Sequence, residues 1–153
     1  MILVYGASGL LGKKLMLCLG RQGIATTCRL EERRNFVSGS YEGLILAAGT
    51  KGFAACEGNA AAFRADVDGN IYLGREANKA GIFTVFVSTD AVEVACGSAY
   101  ARNRFLVELA LGSLPRVGIF RPGRFDESTA FEAAKACVSI LTYQKEGITR
   151  WQA

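Results

Sequence analysis

Three glycines near the start of the chain, Gly6, Gly9 and Gly12 in GASGLLG, recur at i, i+3 and i+6 and are spaced to bring a phosphate against bare backbone. Gly6 permits a tight turn, Gly9 lets a pyrophosphate approach the main chain, and Gly12 lets a helix pack closely on a strand. The phosphates would rest on free N–H groups at the positive end of a helix beginning near Leu10. The candidate cradle is therefore Gly6, Ser8, Gly9, Leu10, Leu11 and Gly12. A second chemical signal closes the next apolar segment, where Cys28 runs into Arg29 with no carboxylate before Glu31. An acid at that place accepts the adenosine ribose hydroxyls, whereas an arginine accommodates a 2′-phosphate, bidentately where it can. Arg29 thus favours NADP(H), with NAD(H) second, while Arg33 and Arg34 read as solvated charges. Further on, Tyr100 and Arg104 stand at i, i+4, stacked on one helix face.

These groups need elements to hold them. Ile2–Tyr5 is apolar, too short for a helix and ended by Gly6, which marks a buried strand. Leu11, Leu15, Cys18 and Leu19 then repeat at helical spacing until Gln22-Gly23, where the glycine can cap a helix in a left-handed conformation. Strand, glycine turn and helix in succession form the context in which such a turn binds a dinucleotide. Residues 23–28 read as a second strand, and residues 35–38 either form a short edge strand or mark where a third strand is missing. Residues 43–50 make a buried strand ending in the small residues Ala47, Ala48 and Gly49. An alanine-rich helical region spans 51–81, followed by a strand over 82–89, a helix from Ser98 to about Gly112 and a last strand over 116–120. Asp126 and Ser128 offer caps for a closing helix over 130–143, and the tail 144–153 packs Trp151 at an edge. Alternating strand and helix patterns predict an α/β fold, a doubly wound parallel sheet of five or six strands with helices on both faces. The crevice should lie at the carboxyl ends of the strands at 2–5 and 44–48.

Composition narrows the classes. A chain of 153 residues, half of them hydrophobic, is expected to be one domain with a real core and no separate substrate domain. It has no uncharged apolar run of 18 residues, which argues against a membrane span, and it starts in a strand with no secretory leader. Its five cysteines are an odd set without a C-x-x-C pair, and there is no histidine. They read as reduced core residues of a cytoplasmic protein rather than zinc ligands. A net charge of +4, scattered along the chain, suits phosphate-bearing small ligands and falls short of a nucleic-acid footprint.

The wording of several segments adds a resemblance. GASGLLG is similar to the TGATGxxG fingerprint of the short-chain dehydrogenase/reductase superfamily, its extended and atypical branches especially. The strand ending Ala47-Ala48 resembles the superfamily's D-V-V-I-H-A-A segment, which passes beneath adenosine and ribose. Asp66–Leu73 resembles V-N-V-x-G-T-x-N-L, with Asp66 in place of the asparagine. Ser88-Thr89-Asp90 matches the S-T-D of the dehydrorhamnose-reductase group. Arg121-Pro122-Gly123 is similar to L-R-P-G-x-V-Y-G, where the chain passes the nicotinamide. The resemblance covers residues 1–125 in order and implies roles. Thr89, with Ser88 as its neighbour, would orient a substrate carbonyl, and Tyr100 would be the acid/base of a Tyr-x-x-x-Lys motif in which Arg104 replaces the lysine. Arg104 keeps the charge that favours tyrosinate but changes the reach.

Two functions follow from that resemblance. One is a minimal NADP-dependent reductase or epimerase-like protein acting on a carbonyl or sugar-nucleotide-type substrate. The other is a non-catalytic NADP(H)-binding module or sensor with a degenerate Tyr-x-x-x-Arg site. Arg121 and Arg124 are candidates to meet an anionic substrate, and Pro122 to line the cofactor. Extended members continue into a long C-terminal region that chooses the substrate, whereas this sequence ends soon after position 143. Helices 69–80 and 98–112 could pair two subunits, as in related dimers.

Overall fold

The computed structural model describes residues 1–26, 41–50, 53–94 and 97–152. Six strands form one sheet: β1 (Ile2–Tyr5), β2 (Gly23–Thr26), β3 (Gly43–Leu46), β4 (Phe83–Val87), β5 (Val117–Pro122) and β6 (Gly147–Trp151). All pair in parallel, in the order β2-β1-β3-β4-β5-β6. The main helices are α1 (Leu10–Leu19), α4 (Asn70–Lys79), α6 (Ala99–Gly112) and α7 (Ala130–Thr142). Shorter turns are α2 (Phe53–Cys56), α3 (Ala60–Phe63) and α5 (Ala91–Val94), and a π-helical turn over Arg64–Gly69 joins α3 to α4.

The period-2 geometry of strands sorts the apolar side chains onto two faces. Ile2, Val4, Ile45, Phe83 and Val85 meet Leu11, Leu15 and Leu19 of α1 and Cys137 and Ile140 of α7. Leu3, Leu44, Leu46 and Phe86 meet Leu73 and Ala77 of α4 and Val107 and Leu111 of α6. Each fully buried Val, Leu, Ile or Phe among them contributes about 1.5–3 kcal/mol. The result is a doubly wound α/β sandwich. Strand β2 lies on one flank of β1 and β3 on the other, so the order reverses between β1 and β3. Ligands in open α/β sheets bind at that switch point, beyond the carboxyl ends of the strands.

Three sequence expectations change. The strand at 117–122 is not the last, because Gly147–Trp151 adds β6 alongside it, with Ile119 opposite Ile148 and Pro122 opposite Trp151. Helix α1 ends earlier than Gly23: Gly20 takes the positive φ, at 53°, and Gly23 is extended at φ −83° as β2 begins. Asp126 caps no helix directly. Its carboxylate accepts from the backbone N–H groups of Ser128 (2.9 Å) and Thr129 (3.2 Å) in the turn before α7. Arg29 and the candidate edge strand at 35–38 lie outside the described residues. Among the described residues no helix is long and apolar enough to cross a membrane, and no cluster of three potential metal ligands occurs.

Candidate functional site

The glycine turn is built by close approach. Gly6 sits at φ 93°, and a Cβ there would overlap the backbone of Ala48, at the end of the neighbouring strand. A Cβ at Gly12 would overlap the carbonyl of Gly6 and Cα of Ala7, which fixes how tightly α1 can follow β1. Inside the turn the Gly9 N–H donates to Gly6 O at 3.1 Å, and Lys13 N–H closes the first helical turn on Gly9 O at 2.9 Å. Gly9 caps α1 without a side chain, and no acid stands in the first turn. The leading N–H groups of α1 therefore have neither a capping side chain nor a competing carboxylate. That is what a dinucleotide pyrophosphate requires, so this cradle fits the group the fold implies.

Above it opens a cleft of about 900 Å³. It is lined by Gly6, Ser8, Gly9, Leu10, Leu11 and Gly12 from the turn, and by Ala47, Ala48 and Gly49 after β3. Ser88 and Thr89 after β4, Tyr100 and Arg104 from α6, and Pro122 at the end of β5 complete the part singled out in the sequence. Ser98 caps α6, its hydroxyl accepting from the Ala101 N–H at 3.1 Å, which sets the helix start and places Tyr100 in its first turn. Arg104 is 6 % exposed. Its Nη1 donates to Ala48 O (3.2 Å) and Val87 O (3.3 Å), joining the ends of β3 and β4. Its guanidinium carbon lies 5.7 Å from the ring centres of both Phe86 and Tyr100. On its far side Tyr100 meets Phe53 edge-on, with centroids 5.5 Å apart.

The two hydroxyls after β4 differ. Thr89 Oγ1 accepts from the Ala91 N–H at 3.2 Å and donates to Asp90 Oδ1 at 3.3 Å, so it is engaged in the start of α5. Ser88 Oγ is buried and has no hydrogen-bond partner among the described residues. Asp66 does not line the cleft. Its Oδ1 accepts from the Thr50 N–H (2.9 Å) and hydroxyl (3.2 Å), fastening the loop after β3 to the π-helical turn. Its other oxygen accepts from the Cys56 thiol at 4.0 Å. Burial pushes that thiol above its usual range, with the Asp66 charge adding to the rise and Arg104 opposing it.

Of the two arginines proposed for an anionic substrate, Arg121 is removed. It is 7 % exposed and turns into the protein, its Nε donating to Glu108 Oε1 at 2.9 Å and its Nη2 to the second oxygen of the same carboxylate. Its Nη1 pairs with Glu93, which also accepts from Arg150 Nε at 3.0 Å. The hydrogen bonds it donates to Glu108 hold the Arg121 guanidinium above its usual pKa against the opposing effect of burial. Arg124 does line the cleft. Sequence reasoning passed over Thr50, Phe53, Asp90, Val94 and Phe125 as lining residues. For Asp90 a signal existed in the S-T-D match. Phe53 and Val94 sit on one-turn helices too short to carry a periodic pattern.

No protein-family model matches the chain, and no curated protein does. Solved structures do. The dTDP-4-dehydrorhamnose reductase of Clostridium acetobutylicum superposes with a TM-score of 0.81 at 18 % identity, over 98 % of this chain and 73 % of that one. A dTDP-4-dehydrorhamnose reductase from Bacillus anthracis, in complex with NADP, gives 0.76 at 15 % identity over 99 % and 73 %. A UDP-glucose 4-epimerase from Brucella ovis, in complex with NAD, gives 0.80 at 14 % identity over 99 % and 76 %. The fold of this chain is therefore the Rossmann-like α/β fold that these structures share.

Proposed function

We propose that the chain binds NADP(H) and reduces a carbonyl compound in the cleft beside Tyr100. The observation that carries this reading is the cleft itself. A pyrophosphate-sized cradle at the helix α1 N-terminus, a phenol and a pair of hydroxyls border one cavity at the switch point of the sheet. The nicotinamide, when bound, supplies the hydride that adds to the carbonyl carbon. The chain's part is to hold the carbonyl and move one proton. Tyr100 donates its phenolic proton to the carbonyl oxygen as the C=O bond becomes C–OH. The Thr89 O–H, which can turn to it from Asp90, is assigned to hold that oxygen, with Ser88 beside it on the cleft wall. Arg29, at the end of the second strand segment in sequence, is assigned the adenosine 2′-phosphate.

A second reading, a binding module without turnover, draws on Arg104. Its Nη1 is occupied by two main-chain carbonyls, so it already has a structural duty. Calorimetric titration with NADPH and NADH, followed by turnover of a carbonyl panel, separates the two. The enzyme reading expects NADPH to bind better than NADH, with Arg29→Asp narrowing or reversing the gap. It also expects Tyr100→Phe to cut turnover by about a hundred- to ten-thousandfold with NADPH affinity unchanged. Turnover that survives Tyr100→Phe would sink this mechanism, and NADPH binding without turnover of any carbonyl favours the module.

A further inference from the structure

Arg104 lacks the counter-charge that a buried guanidinium requires. It forms no ion pair among the described residues, and its recorded partners are the two carbonyl oxygens and the two aromatic faces. Its Nε and Nη2 donate to nothing described. Asp66, a buried acid of the neighbouring turn, is bound to Thr50 and Cys56 instead. Carbonyl dipoles and ring quadrupoles ease the burial of a cation, but they leave its full charge uncompensated. Such a cation, on the wall of a cleft, is suited to an anion that arrives with the ligand.

We propose that Arg104 receives a carboxylate carried by the substrate, which therefore belongs to the 2-oxo or 3-oxo acids. This rests on the reading of the cleft as a carbonyl-reducing site. Nε–H and one Nη2–H lie side by side on one edge of the planar guanidinium, and two parallel donors match the two oxygens of a carboxylate. Tyr100 is one helical turn away, with its ring against the same guanidinium. A ligand whose carbonyl is adjacent to its carboxylate, or one carbon removed, reaches both residues. Arg124, which lines the cleft and forms no ion pair among the described residues, adds positive potential, and Asp90 is the one acid among the described lining residues. A phosphate is better served at the glycine turn, where several backbone N–H groups converge. A lysine at position 104 would supply the charge but not the planar fork.

The test is calorimetric titration of the whole chain with pyruvate and acetoacetate, and with methyl pyruvate as the neutral control, each with and without saturating NADPH. At least one oxo acid should bind, and methyl pyruvate should bind about tenfold to a hundredfold more weakly, the usual worth of charge-assisted hydrogen bonds. Arg104→Gln should abolish the difference, Arg104→Lys should retain part of it, and Arg124→Gln should change oxo-acid affinity by less than about threefold, as expected of an exposed charge. Circular dichroism checks that each variant folds, and the acid-versus-ester contrast needs no variant at all. Equal binding of acid and ester, no binding of either oxo acid, or a loss that follows Arg124 rather than Arg104 overturns the proposal. Oxo-acid binding in a chain that ignores NADPH upholds it and overturns the nucleotide reading instead. NADPH binding without oxo-acid binding does the reverse.

Discussion

Helix α6 and strand β5 each hold a buried arginine, and the two are handled in opposite ways. Arg121 has a bidentate carboxylate from Glu108, a second acid in Glu93, and through it a tie to Arg150 on β6. Arg104, buried to the same degree, has carbonyl oxygens and rings but no acid. Both tie α6 to strand ends, so position alone does not separate them. Charge balance does. A guanidinium whose charge is matched inside the protein is a fastener, holding α5, α6 and β6 to the end of β5. One that is fastened but unmatched keeps binding capacity for something outside the chain.

The largest expected effect comes from breaking the balanced arginine. Glu108→Ala strands Arg121 with its main partner gone, and loss of one member of a buried pair typically costs about 3–5 kcal/mol. Urea denaturation should show a loss of that size. Arg104→Gln should cost less, about 1–3 kcal/mol, since it removes hydrogen bonds to two carbonyls and no matched charge. If Arg104→Gln proved the more damaging of the two, Arg104 would be the main fastener and the contrast would invert.

A smaller effect is set by pH. Hydrogen bonding from Arg150, with the charges of Arg150 and Arg121, holds the Glu93 carboxyl below its ordinary pKa in the folded chain. The unfolded chain therefore takes up that proton first as the solution is acidified. Stability from Glu93 is full above the ordinary carboxylate pKa and is lost as pH falls through the lowered folded value. Thermal melts of the parent chain and Glu93→Gln should thus differ near neutrality and converge in that acid range. A gap that stayed constant down to pH 3 would show that Glu93 acts through packing rather than charge.

What could be read in the chain divides along the same physical lines. The glycine turn, the alternating strands and the i, i+4 pair at positions 100 and 104 are local patterns, and local backbone sterics write them into the sequence. Strand β6 was missed because it is a short edge strand whose half-buried face carries Thr149 and Trp151 while Ile148 is exposed on the other, so Gly147–Trp151 has no apolar alternation to detect. The fate of Arg121 was illegible for another reason. Its partners Glu108 and Glu93 are 13 and 28 residues away and meet it only once β5, α6 and α5 are packed. The engagement of the Thr89 hydroxyl is a local hydrogen bond, but it depends on α5, which is a single turn. A residue's type announces its chemistry, whereas its availability depends on tertiary partners.

The smallest structural change tests the contrast most sharply. Gly49 faces Arg104 directly, and a Cβ there would overlap Nη2 and the guanidinium carbon. Unlike Gly6, at φ 93° and against the Ala48 backbone, Gly49 has no left-handed φ, and its obstacle is the far end of a flexible side chain. Gly49→Ala should therefore fold, because the loss of unfolded-state freedom, worth about 0.4–1 kcal/mol, offsets part of the cost of moving the guanidinium. A change in stability within about 1 kcal/mol is expected from that balance. The displaced guanidinium, however, leaves the position in which it would receive a carboxylate, so oxo-acid affinity should fall about tenfold, the loss of roughly one charge-assisted hydrogen bond. Glu108 and Arg121 lie outside this contact, and the acid-range melts should be unchanged. If Gly49→Ala left oxo-acid binding intact, the guanidinium edge would not be the receptor, and Arg104 would be a second fastener like Arg121.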